Sequence, residues 1–191
     1  MVIAVSGLLL AAGRATRFGG PKLMAALRSG PDAGIAIGVA SLRHLAGAIE
    51  RVIVVVRDEG GLARCFRREG VAVVVAARAD DGMGASLATG VAALPADQAV
   101  VVALADMPWI KPTTIARVAD AVGNGAVVAA PFHHGQRGHP VGFAPSLRDE
   151  LMALTGDEGA RAVLARHRAS LVRIDVDDTG VLRDIDRPSD I

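Results

Sequence analysis

The sequence is short of cysteine. Cys65 is the only one among 191 residues, which excludes an intramolecular disulfide framework and a cysteine-based zinc cluster and fits a reducing compartment. Its surroundings read as a helix core. An excess of charge is lacking as well: 21 basic and 20 acidic residues leave a formal net charge of +1, so no bulk field draws nucleic acid or an anionic membrane surface. Any anion site has to be local. Long hydrophobic runs are missing despite a 51% apolar composition, because Ser6, Gly7, Arg57 and Asp106 interrupt them before any reaches the ~20 residues that span a bilayer. The stretch Leu-Leu-Leu-Ala-Ala-Gly at residues 8–13 superficially suggests the apolar part of a signal peptide, but no basic residue precedes it. The expectation is a cytoplasmic protein with neither membrane nor nucleic acid among its partners. There is no low-complexity tract and no internal repeat, and the length suits one domain over residues 1–191 whose core needs no staples.

Two well-known glycine signatures are absent too. Lys22 follows Pro21 and precedes Leu23, where a Walker loop needs Gly-Lys and then Ser or Thr, and the loop has no Gly-x-Gly-x-x-Gly spacing. What stands there instead is an apolar run at residues 2–10, of the length and branching of a buried strand, that stops at Leu10-Ala11-Ala12-Gly13-Arg14-Ala15-Thr16-Arg17-Phe18-Gly19-Gly20-Pro21-Lys22. Gly13, Gly19 and Gly20 free the backbone to take φ > 0 and turn N–H groups toward an anion, while Arg14, Arg17 and Lys22 bring fixed positive charge. Those are the two requirements of a triphosphate. Taken alone, the loop also fits a plain glycine-rich turn after a first strand.

Valine-rich runs then alternate with longer alanine-rich amphipathic ones. Strands are expected at residues 51–56, 71–76, 99–104 and 171–176, and helices around 40–48, at 62–69 and at 86–94. Residues 28–38, with Pro31 and several glycines, read as an irregular excursion. The strands are apolar throughout, as strands covered on both faces should be. The pattern predicts an α/β protein, a three-layer α/β/α domain with a mainly parallel sheet and right-handed crossovers. Ligands in such sheets sit beyond the carboxyl ends of the strands.

Asp106 stands there, in Leu104-Ala105-Asp106-Met107-Pro108 directly after the fourth strand. A carboxylate at that edge suits Mg²⁺, which prefers carboxylate and phosphate oxygens; a helix N-cap or turn aspartate before Pro112 is the structural alternative. Between the two motifs, Asp80-Asp81-Gly82-Met83-Gly84-Ala85-Ser86-Leu87 runs into a helix expected to begin near Ser86, where free N–H groups and a hydroxyl could meet an anion or a base edge. Downstream, residues 133–142 form a polar loop. Its three histidines sit in one short segment with no obvious fourth ligand, so a solvated turn is the better reading than a zinc site. The carboxylates from Asp177 to Asp190 read mostly as a solvated rim and turn caps.

Residues 10–22 resemble the signature Leu-Ala-Ala-Gly-x-x-x-Arg-(Phe or Met)-Gly-x-x-Lys of the nucleotidyltransferases that build the molybdenum cofactor dinucleotide, with Ala15 where serine is usual. The resemblance continues through Gly82 to Leu87, Ala105 to Pro108, Arg137-Gly138-His139-Pro140, Gly156 to Arg161 and Asp184-Ile185-Asp186, where Arg187 replaces the usual threonine. It covers nearly the whole chain. The implied fold is the Rossmann-like nucleotidyltransferase (GT-A-like) fold of the MobA-like NTP transferases. The implied site has Arg17, Lys22 and Asp106 as catalytic residues, and Leu10, Ala11, Ala12, Gly13, Arg14, Gly19, Gly82, Gly84 and Ser86 around the nucleotide. Arg137, His139 and Arg161 face the acceptor, and Asp106 with Asp186 holds Mg²⁺. Leu-Ala-Ala-Gly is the form of the cytidylyl-transferring, MocA-like members, whereas Leu-Ala-Gly-Gly is typical of guanylyl-transferring relatives, so Ala12 points to CTP.

The resemblance thus implies attack by a terminal phosphate of molybdopterin on the α-phosphorus of CTP, with release of pyrophosphate and a possible client molybdoenzyme. Two other readings stay open. One is a transferase of the same fold acting on another phosphorylated acceptor, with GTP or a sugar phosphate. The other is a non-catalytic partner in molybdoenzyme maturation.

Overall fold

A computed structural model describes residues 2–191. Four parallel strands form one half of its sheet: β1 (Val5–Ala11), β2 (Arg51–Val56), β3 (Ala72–Val75) and β4 (Ala99–Leu104), in the order β3-β2-β1-β4. Each is built from Val, Leu and Ala because both faces are covered. Alternate side chains divide between two cores: Leu9, Val54 and Val101 pack on one face, and Leu8, Val55 and Val102 on the other. Helices α1 (Ile37–Ala46), α2 (Gly61–Arg68) and α4 (Pro112–Gly123) cover the first face through Leu42, Leu45, Phe66, Ile115 and Val118. The opposite face takes Leu87 and Val91 of α3 (Met83–Ala92), Leu151 of α5 (Arg148–Met152) and Val163 of α6 (Arg161–Arg166). This is the expected three-layer α/β arrangement.

The second half of the sheet is mixed. It contains β5 (Val128–His133), β6 (Gln136–Arg137), β7 (Val141–Phe143) and β8 (Leu171–Asp175). Strand β7 runs antiparallel between β4 and β5, β6 pairs antiparallel with β5, and β8 is parallel to β5. His134 and Gly135 make the β5–β6 turn, with φ of 48° and 82°, the two positive values of a tight hairpin turn whose twist suits the strands.

Several expectations need correction. The first strand begins at Val5 and α1 at Ile37. The excursion is an ordered back-folded loop rather than an irregular one: Ala26 bridges Ala36, Leu27 N–H donates to Ile35 O at 2.9 Å, and buried Leu27 anchors it. Cys65 is half-buried, because the core-facing side of α2 is set by Ala63 and Phe66, three residues apart. Asp178 is no rim residue. It is 2% exposed and accepts from Lys111 N–H at 2.9 Å and Thr114 Oγ1 at 2.7 Å, which ties the C-terminal segment to the start of α4. His133, too, is buried, with Nδ1 3.1 Å from Val176 O, not part of a solvated turn.

Candidate functional site

The register places the chemistry. Ala11 ends β1 opposite Val56, the last residue of β2, and Leu10 lies opposite Leu104, the last of β4. The loop after β1 therefore emerges between Arg57 on one side and Asp106 on the other. A cavity of about 690 Å³ opens there, lined by Leu10, Ala11, Ala12, Gly13, Arg14, Arg17, Lys22, Arg57, Asp80, Gly82, Met83, Ser86, Asp106 and Asp157 among others.

At one end, two cations and two carboxylates converge. Lys22 Nζ lies 2.8 Å from Asp106 Oδ2 and 3.8 Å from Asp186 Oδ1, and Arg17 Nη1 lies 2.7 Å from Asp186 Oδ2. Lys22 opens a short helical turn, residues Lys22–Met24, pinned by buried Leu23, and is itself only 8% exposed. Asp186 arrives from the far end of the chain because Ile185, fully buried, donates its N–H to the Asp106 carbonyl at 2.9 Å. Asp190 Oδ2 then accepts from the N–H groups of Asp186 at 2.9 Å and Arg187 at 2.7 Å, fixing the turn despite Arg187. Asp106 sits in a turn but caps no helix; Lys111 holds that position before α4.

A divalent cation fits this end. Among the described residues no group of three or more His, Cys, Asp or Glu side chains could hold a metal alone. Two carboxylates beside a cationic glycine loop instead suit a hard divalent cation that would take its remaining ligands from oxygen atoms of a bound molecule and water.

At the other end, Arg57 comes off the tip of β2. Its Nη2 donates to Ala12 O at 3.0 Å, its Nη1 pairs with Asp80, and Arg14 Nη2 reaches the same carboxylate at 2.6 Å. The two guanidinium groups, Arg14 foremost, hold the Asp80 carboxyl below the usual carboxylate range. Sequence reasoning missed Arg57 and Asp80 as site residues. A charge directly after an apolar strand at the ligand-bearing sheet edge was the available signal.

The glycines divide differently from expectation. Only Gly19 of the loop's three takes positive φ, 74°; Gly13 and Gly20 do not, and Ala15 does, at 49°. Gly82, at φ 101°, lines the cavity and lies so close to Gly156 that a Cβ could not fit. Gly84 is not in the lining. Its N–H donates to Gly156 O at 2.8 Å, so it is spent on packing the 155–160 loop against α3. Helix α3 begins at Met83 rather than near Ser86, which sits in the first turn with its hydroxyl 3.5 Å from Gly82 O and faces the cavity.

Arg137, His139 and Arg161 come together apart from this cavity, on β6, the segment before β7, and the start of α6. Loss of surrounding water and the charge of Arg161 hold Arg137 below its ordinary value. The same two arginines add to burial in pushing His139 down to about 4, with Asp184 acting the other way. His139 Nδ1 is buried without a partner, and neither arginine is salt-bridged to a carboxylate among the described residues. Guanidinium groups without a carboxylate partner have the chemistry to take an anion.

The model of the MobA-like NTP transferase domain matches residues 7–171. The chain belongs to that family. A Paenarthrobacter nicotinovorans protein named nicotine blue oxidoreductase is 30% identical over 190 residues, 95% of this chain and 92% of its own. The structure of Rv0371c from Mycobacterium tuberculosis H37Rv superposes with a TM-score of 0.81 at 27% identity, covering 100% of this chain and 96% of that one. A second structure of Rv0371c, in complex with manganese, gives 0.71 at 26% identity over 91% and 88% of the two chains. No helix among the described residues is long and apolar enough to cross a membrane.

Proposed function

We propose that the chain works as one domain that transfers CMP from CTP to a molybdopterin-type acceptor and releases pyrophosphate. The observation that carries this reading is Lys22 set between Asp106 and Asp186, with Arg17 on the same carboxylate, at the mouth of the glycine loop. Membership of the MobA-like NTP transferases supports a nucleoside triphosphate, and the manganese complex of Rv0371c supports a divalent metal. Ala12, buried against the cavity floor, supports CTP through the resemblance to cytidylyl-transferring members.

In this reading Asp106 and Asp186 hold Mg²⁺, which when bound neutralises charge on the α-phosphate. Arg17 and Lys22 exchange their carboxylate partners for phosphate oxygens. A terminal phosphate oxygen of the acceptor forms the new bond to the α-phosphorus while the bond to the β-phosphate oxygen breaks. That oxygen is already ionised, so no side-chain base is required, and the protein's contribution is positioning and charge stabilisation. Arg137 and Arg161 take the acceptor's phosphate; His139, held neutral by burial and by their charges, adds no third charge.

The test is pyrophosphate release with Mg²⁺, each of four nucleoside triphosphates, and a panel of acceptors. Release with CTP and molybdopterin supports the reading, and release only with a sugar phosphate or with GTP reassigns the substrate. A second reading comes from the match, over 95% of this chain, to the Paenarthrobacter protein named nicotine blue oxidoreductase. Redox turnover of that dye, with no pyrophosphate formed, favours it.

A further inference from the structure

The cavity has two polar ends, and the proposed reaction uses one of them. The strand order β3-β2-β1-β4 puts Asp106, after β4, at one end, and Arg57, after β2, with Asp80, after β3, at the other. Asp106 and Asp186, the carboxylates that the proposed function gives to Mg²⁺, stand with Arg17 and Lys22 at the Asp106 end, where that reading puts the triphosphate. A nucleotide anchored there lays its nucleoside toward Arg57 and Asp80. The walls between suit a flat ring: Ala11, Ala12 and Leu104 are small or apolar, and Met83, 45% exposed at the rim, offers a polarisable thioether.

The far end is built around one oxygen. Arg14 and Arg57 both donate to Asp80 Oδ1, and among the described residues no donor reaches Oδ2. Arg57 is itself held by the carbonyls of Ala12 at 3.0 Å and Ala79 at 3.5 Å, and its Nε is buried with no partner. Asp80 is thus an ionised acceptor fixed in place by two arginines, with a free oxygen at the edge of a cavity that it lines.

We infer that Asp80, clamped by Arg57 and Arg14, reads the nucleobase and selects one with an exocyclic amine, cytosine, over one with a carbonyl there. This rests on the nucleotide reading above. A carboxylate oxygen accepts from the amine of cytosine and repels the carbonyl of uracil, two rings of nearly equal size. Discrimination by one charge-assisted hydrogen bond amounts to about tenfold or more.

The experiment is calorimetric titration, with Mg²⁺, of CTP, UTP and inorganic triphosphate into the wild type and Asp80→Asn. Asp80 is exposed, and thermal unfolding confirms that the variant folds. The wild type is expected to bind CTP about tenfold or more tightly than UTP. In Asp80→Asn that ratio falls to about threefold or less, while inorganic triphosphate keeps its affinity within about twofold, since only the base contact is removed. A ratio unchanged in the variant overturns the inference. So does tighter triphosphate binding by the variant, which would make Arg14 and Arg57 phosphate ligands that Asp80 holds back. Wild type that binds inorganic triphosphate but shows no preference between CTP and UTP overturns this inference alone. Wild type that binds none of the three overturns the nucleotide reading with it.

Discussion

The two halves of the sheet handle positive charge in opposite ways. On the parallel half, Arg14, Arg17, Lys22 and Arg57 each contact a carboxylate, Asp80, Asp106 or Asp186. On the mixed half, Arg137 and Arg161 have no such partner among the described residues, and their charges add to burial in holding His139 neutral. A paired cation is stable without ligand and must exchange one anion for another, so its ligand binds best when a metal takes over the carboxylates. An unpaired pair gains directly from any phosphate that arrives. Under the proposed function the metal-dependent nucleotide belongs to the first half and a metal-independent anion to the second.

Breaking the first half should cost most. Asp106→Asn or Lys22→Ala is expected to lower kcat by about 10²-fold or more, in line with the loss of one preorganised electrostatic contact. Steady-state pyrophosphate release measures it, and near-normal turnover in both folded variants would remove them from the chemistry. On the second half, Arg161→Ala or Arg137→Ala should raise the acceptor KM by about tenfold and leave nucleotide affinity unchanged, as expected for one charged hydrogen bond. An equal loss in nucleotide binding would show that the two halves are not separate sites.

The smallest effect sharpens the same contrast through pH. His139 falls from 6.5 in the unfolded chain to about 4 in the fold. Between those values the unfolded chain binds a proton that the folded protein refuses, so stability is lost as pH drops through this window. His139→Gln should show a shallower fall in Tm from pH 7 to pH 4.5 than the wild type. Parallel Tm curves would mean that burial and the arginines do not hold it neutral.

The halves also differ in how far the sequence revealed them. Strands β2 and β4 coincide with continuous apolar runs at residues 51–56 and 99–104, because burial on both faces leaves no polar alternation to obscure them. Strands β6 and β7 have two and three residues, too short for any periodicity, and β5 carries Pro131. Lys22 and Asp106, which the fold brings within 2.8 Å of each other, stood out in the sequence because each belongs to a motif that follows an apolar strand. The packing of Gly84 on Gly156 was not legible, because that partner lies in a distant loop that a local string cannot show. Arg57 was passed over because it belongs to no motif, although its place after β2 is the same as that of Asp106 after β4.

The measurement that bears most directly on the central claim is thermal unfolding of the wild type and Asp106→Asn with CTP, Mg²⁺ or both. A ligand at a hundred times its Kd adds about 2.7 kcal/mol, a rise of about 5 to 10 °C in Tm for a chain of this size. If Lys22, Asp106 and Asp186 form one metal and triphosphate site, the wild type shows that rise only with CTP and Mg²⁺ together, and Asp106→Asn loses most of it. An equal rise in both proteins, or one indifferent to Mg²⁺, would contradict the account.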